Sequence, residues 1–235
     1  WGDYDFNDLV MGYQFKTVTN TSNEVVEIFA TFVIKANGAA NYGNGFGFEL
    51  PDAVAGIATN VEVSGYNHTE AIITVDGTTK LETGQTNPVI IAIDNINSEM
   101  EGANTQPAQP YVTPVTFTVQ IDVTGGGPFT AADFSLSTWN PFIYIYQTRD
   151  HEIHLADMPG TDLMNTSLYG FCSDSTVVSS NLYFKAVNYL PWALDFPSDF
   201  EYPYELQRID DAYLHFVEWA ESGGTLYTDW YSNTG

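Results

Sequence analysis

The chain has 235 residues, enough to bury a substantial core as one large domain. Thirty acidic residues against six basic ones give a formal net charge of −24. That excludes nucleic acid as a partner, because counterion release needs a Lys/Arg surface, and it removes any attraction to anionic membrane. A single cysteine, Cys172, leaves no intrachain disulfide and no cysteine-based zinc site, and no apolar run approaches the ~18 residues that span a bilayer.

In chain order the first element is a run of oxygen donors, Asp3-Tyr4-Asp5-Phe6-Asn7-Asp8, leading into Leu9-Val10-Met11. Calcium takes six to eight oxygen ligands and gains from carboxylate charge, so Asp3, Asp5 and Asn7 at alternate positions are candidate ligands. Asp8 lies alongside them, and the Leu9 carbonyl can add a fourth oxygen. On an extended strand residues two apart are separated by roughly 6.6 Å, beyond the ~5 Å that two oxygens on one ion can span. The segment must therefore curl before strand pairing begins near Leu9. An EF-hand is excluded, because Asp8 stands where the sharp-turn glycine belongs and Gln14 where the bidentate glutamate belongs. The local ligand set is incomplete, and the competing reading is a solvated acidic turn held by Asx bonds.

From Leu9 to about Tyr146 the pattern is of strands. Leu9, Met11, Tyr13 and Phe15 share one face, as do Ile28, Ala30, Phe32 and Ile34 within Val25 to Ile34. Further strands are expected over Phe46 to Leu50, Ile57 to Val63, Ala71 to Val75, Val89 to Ile93, Val115 to Val123 and Phe142 to Tyr146. Turns fall at Asn37-Gly38, Asp76-Gly77 and Gly125-Gly126-Gly127-Pro128, and the Pro-containing stretch Asn97 to Pro114 is a long loop. Glycines interleaved with Tyr42, Phe46 and Phe48 suit a turn and strand whose bare backbone is covered by aromatic rings. Eight or more short strands without helical crossovers predict an antiparallel β-sandwich, jelly-roll-like.

His151-Glu152-Ile153-His154 lacks the i, i+4 histidine spacing of a zincin. If the strand continues through it, Glu152 and His154 share a face and His151 points away. Glu152 is then the expected distant carboxylate that completes the calcium site, with Asp157 in reserve, and pairing of Glu152 with Arg149 is the alternative. Near the end, residues 205–222 are predicted as an α-helix packed on the sandwich. Ile209, Tyr213, Phe216, Val217 and Ala220 form its apolar stripe, with Asp210 and Asp211 at its N-terminal end and Ser222-Gly223-Gly224 as its stop. No linker is visible, so residues 1–235 are expected to be one domain.

Five segments together resemble the LruC-type domain family. They are Gly2 to Val10, Asn44-Gly45-Phe46-Gly47-Phe48 with Leu50-Pro51, Arg149 with Glu152-Ile153-His154-Leu155, Leu190-Pro191-Trp192-Ala193-Leu194, and Ser222-Gly223-Gly224 leading to Asp229-Trp230-Tyr231. The resemblance implies a secreted or outer-membrane-associated lipoprotein domain of Bacteroides-like bacteria, of no assigned activity. It also implies a lipid anchor or signal sequence upstream of Trp1, where the chain begins inside a motif. Two function classes follow. One is a non-catalytic, calcium-binding surface module for adhesion, with a glycan or a host or bacterial surface protein as partner. The other is a glycan-processing hydrolase with a carboxylate pair among Asp3, Asp5, Glu152 and Asp157.

Overall fold

A computed structural model describes the chain except for residues 1–2, 40–42, 52–55, 57–59, 102–103, 124–128, 135–138, 146 and 235. Trp1, Tyr42, Ile57, Gly102, Tyr146 and the turn at 125–128 therefore lie outside the described residues. Among the described residues eight strands form two four-stranded sheets. They are β1 (Val10–Thr19), β2 (Val25–Ala36), β3 (Gly45–Glu49), β4 (Val61–Ser64), β5 (Val89–Ile93), β6 (Val115–Val123), β7 (Asn140–Tyr144) and β8 (Glu152–His154). The first sheet runs β1-β2-β6-β4 and the second β5-β3-β7-β8, with every neighbour antiparallel. From β2 to β7 the chain crosses to the other sheet at every step, as the expected jelly-roll-like sandwich requires.

The alternation in the sequence sets which face is buried. Ile28, Ala30, Phe32 and Ile34 are all at 1% exposure or less, and Leu9, Met11, Tyr13 and Phe15 pack beside them. Across the gap, the Phe32 ring lies 5.2 Å from Phe46 and 5.8 Å from Phe48, so aromatic residues of the two sheets interdigitate. Gly45 is bare because a β-carbon there would enter the Tyr144 ring. Ring cover over glycine backbone is thus present, supplied by Tyr144 of the neighbouring strand.

The second sheet is also covered on its outer side, which explains the uniformly apolar β5. Val89 and Ile91 pack there with Phe142 and Tyr144, and partly buried Ile72 and Ile73 join them. The expected strand Ala71 to Val75 does not form. Only Val75 makes a bridge, to Glu82, while the two isoleucines serve as a lid on the sheet.

The expected helix over 205–222 is also corrected. It is two short pieces, α1 (Ile209–Ala212) and α2 (Phe216–Glu221). The chain terminus intervenes: Leu214 N–H donates to the Asn233 carbonyl and Tyr213 bridges Thr234, drawing both residues out of the helix. His215 then turns back at φ +70°. The stripe nevertheless faces inward, with Ile209, Tyr213, Phe216 and Ala220 buried. It packs against Leu190, Trp230, Tyr4 and Phe6 as a second apolar cluster, not against a sheet.

Candidate metal centre

The N-terminal run curls as the ligand spacing demands. Tyr4 and Phe6 both adopt positive φ, +58° and +51°, and β1 starts only at Val10. Each left-handed non-glycine residue costs on the order of 1–3 kcal/mol, which surrounding contacts must offset. The Tyr4 ring stacks on Trp192 with centroids 5.4 Å apart and lies under the Arg208 guanidinium, while Phe6 meets Phe216 edge-on. The two aromatic side chains point into the second cluster, which leaves the intervening carboxylates together on the other side.

Asp3, Asp5 and Glu205 each offer a carboxylate oxygen, and the three lie within 4.8 Å of one another. Asp3 is exposed, Glu205 half-buried and Asp5 buried at 2% exposure. Asp5 accepts from the Leu206 N–H at 2.9 Å, a bond that ties the N-terminal run to residues 201 positions away. Leu206 is itself left-handed, φ +64°. Glu205 accepts from Thr105 Oγ1 at 3.2 Å, and its own N–H donates to the Thr105 carbonyl.

The electrostatics are those of crowded anions. Burial, then the charge of Asp3, raises the Asp5 carboxyl, although amide bonds from Leu206 and Asn7 oppose the shift. Burial and Asp5 raise Glu205. Asp8 is pushed up to about 6, by crowding from surrounding protein and then by Asp3, Asp5 and Glu205. Its side chain is exposed to solvent and feels the charge of all three neighbours. Hard oxygen donors within the span of one ion, with a charge surplus, fit calcium.

The other expected ligands are placed differently. Asn7 is wholly buried. Its Nδ2 donates to the Pro203 carbonyl at 3.2 Å and its side chain also bonds Asp5, so the donor end of the amide, not its oxygen, faces the carboxylates. Its carbonyl accepts from Gly38 N–H, where a β-carbon would collide with Asn7 Oδ1. Asn7 braces the curl. Leu9 is a bend residue whose side chain joins the main core.

Glu152 is corrected outright, because its carboxylate is consumed elsewhere. As the strand pattern predicts, Glu152 and His154 share the buried face of β8, at 1% and 0% exposure, while His151 is half-buried beside Asp150. Glu152 accepts from Arg149 Nη1, from Thr161 Oγ1 at 2.6 Å and N–H at 2.8 Å, and meets His154 Nε2 at 2.7 Å. Arg149 also clasps Glu82 with Nε and Nη2, at 2.5 and 2.6 Å, and covers the Phe142 ring. The alternative pairing with Arg149 therefore holds, but in the interior and not at the surface. Asp157 is bound by Lys185 Nζ at 2.6 Å. The carboxylate that reaches the N-terminal run is Glu205, which nothing in the sequence marks. It is one of thirty acids, sits outside any motif, and is brought in by a left-handed turn at a leucine.

The family described as "Domain of unknown function (DUF4842)" matches residues 23–231. A candidate lipoprotein from Bacteroides ovatus, known from a crystal structure, superposes with a TM-score of 0.69 at 17% identity, covering 99% of this chain and 69% of that one. A BSP domain of a biofilm-associated protein aligns over 65% of this chain and 30% of that one, at 12% identity, and its TM-score of 0.30 carries no weight. No curated protein matches the sequence. The 0.69 superposition shows a shared fold, and the match over 23–231 shows that the chain belongs to the DUF4842 family, a domain of unknown function.

Proposed function

We propose that this chain is a non-catalytic, calcium-binding module of an extracytoplasmic bacterial protein. The observation that carries the reading is the convergence of Asp3, Asp5 and Glu205 within 4.8 Å, from opposite ends of the sequence. Three carboxylates supply three of the six to eight oxygens that calcium usually takes. The exposed side at Asp3 leaves room for water or a ligand oxygen to supply the rest. An ion there neutralises the repulsion felt by Asp5, Asp8 and Glu205 and fastens the N-terminal curl to residues 203–206.

The lipoprotein character of the Bacteroides ovatus neighbour supports a surface or extracytoplasmic location. No helix among the described residues is long and apolar enough to cross a membrane. A surface glycan or a surface protein is the class of partner such an acidic module would meet. Glycan hydrolysis through Glu152 is disfavoured, because its side chain is sealed from solvent with both oxygens engaged.

Melting curves in millimolar calcium and in chelator test the reading. At a hundred-fold excess over Kd the ion adds about 2.7 kcal/mol, or roughly 5–11 °C in melting temperature for a domain of this size. Magnesium should do much less, since it dehydrates reluctantly and demands octahedral geometry. Superimposable curves in calcium and chelator would overturn the proposal.

A further inference from the structure

His154 is wholly buried on β8, the edge strand of the second sheet, and both of its ring nitrogens meet oxygens. Nδ1 lies 2.6 Å from Asn140 Oδ1, and Nε2 lies 2.7 Å from Glu152 Oε2. The Asn140 amide has no freedom to turn. Its Nδ2 donates to the Pro159 carbonyl at 2.9 Å and to Glu49 Oε2 at 3.0 Å, so its oxygen must face the ring. Glu152 is equally fixed as an acceptor. The same Oε2 takes the Thr161 N–H, while Oε1 takes Arg149 Nη1 and the Thr161 hydroxyl.

A neutral imidazole has one N–H and one bare lone pair. Either tautomer would aim that lone pair at a buried oxygen, and only the doubly protonated ring satisfies both contacts. The charges then balance, with Glu82 and Glu152 set against Arg149 and His154. The Phe142 ring touches both cations, 4.9 Å from the His154 ring and 4.8 Å from the Arg149 guanidinium. The other titratable groups nearby stand a step removed. Glu49 is behind Asn140, Tyr169 is behind Phe184, and Asp157 and Lys185 pair with each other at 2.6 Å.

We propose that His154 is a buried imidazolium that latches residues 159–184 onto the edge of the second sheet, and that loss of its second ring proton at alkaline pH opens the latch while the first sheet stays folded. One arm of the latch is Asn140, whose amide also holds the Pro159 carbonyl. The other is Phe184, with its ring 5.1 Å from that of His154. Phe184 forms an apolar cluster with Met164 and Tyr183, against which Trp192 packs. Once the proton leaves to water, Glu152 lacks a counter-charge and one ring contact becomes repulsive. Burial makes both costly.

Nitrogen-15 NMR of the histidine rings, with native-state hydrogen exchange of the full chain from about pH 6 to about pH 9, tests it. Chelator is present throughout, so the outcome does not depend on calcium. At pH 7 both His154 ring nitrogens should carry a proton. As pH rises, loss of one should coincide with at least tenfold more frequent opening of the Thr161 and Phe184 amides, while β2 and β6 keep their protection. His154→Gln should show that frequent opening at every pH. A single ring proton at pH 7, a ring that keeps both protons to pH 9, or a ring that titrates without change at Thr161 and Phe184 would each overturn the proposal. The wild-type titration decides the matter even if His154→Gln does not fold.

Discussion

Asp8 carries the clearest signature of the anionic cluster around Asp3, Asp5 and Glu205. Its carboxyl rises from an unfolded value near 3.8 to about 6, so between those values the folded chain holds more protons than the unfolded one. Its contribution to stability is therefore full below pH 4 and is lost as pH rises through 6. In chelator, the melting temperature should decline over that window, and Asp8→Asn should flatten the decline; an unchanged slope in that variant would remove Asp8 from the cluster. Glu152 behaves oppositely. Burial works against its ionisation, but the bond and charge of His154, the charge of Arg149 and the Thr161 hydroxyl outweigh it and hold the carboxyl down to about 2. Its contribution is present above pH 4.5 and is lost as pH falls toward 2. Removing one member of a buried pair costs about 3–5 kcal/mol, so Glu152→Gln should lower the denaturant midpoint markedly. At this scale the sequence was half legible. The curl expected if Asp3 and Asp5 share an ion is present, with Tyr4 and Phe6 at positive φ, and the shared face of Glu152 and His154 followed from strand period. Glu205 could not be deduced, since the turn that delivers it depends on a left-handed Leu206 that no residue preference signals.

Among the elements, strands with one buried face were readable because period-two alternation and core burial are the same fact stated twice. Ile28 to Ile34 is the example, with each inward residue buried. Ala71 to Val75 misled for the same reason: two isoleucines in a β-branched run serve equally well as a cover over Val89 and Ile91. The C-terminal stripe gave the correct inward residues yet not the helix, because the break at Tyr213 and Leu214 is imposed by pairing with residues 233–234. The turn at Asn37-Gly38 has a sharper requirement than turn propensity. Gly38 lies so close to Asn7 that Gly38→Ala must displace the curl. We predict that this substitution weakens calcium binding while leaving the strand signature in circular dichroism intact; wild-type affinity would show that the curl tolerates displacement.

For the molecule as a whole, a formal charge of −24 sets the balance. Self-repulsion on that scale opposes compaction, and one place where it is felt is the group of Asp3, Asp5 and Glu205. Elsewhere, in the interior, Glu82 and Glu152 are compensated by Arg149, one of only six basic residues. A divalent ion at Asp3, Asp5 and Glu205 would therefore act as cross-link and counter-charge together. Calorimetric titration of calcium into the chelator-treated chain, with Glu205→Gln and Glu152→Gln in parallel, tests this most directly. Wild type should bind saturably, Glu205→Gln should bind at least about tenfold more weakly, given that even indirect changes around a metal lose ~10–100-fold, and Glu152→Gln should match wild type. Wild-type affinity in Glu205→Gln, or no binding by the native chain, would contradict the account.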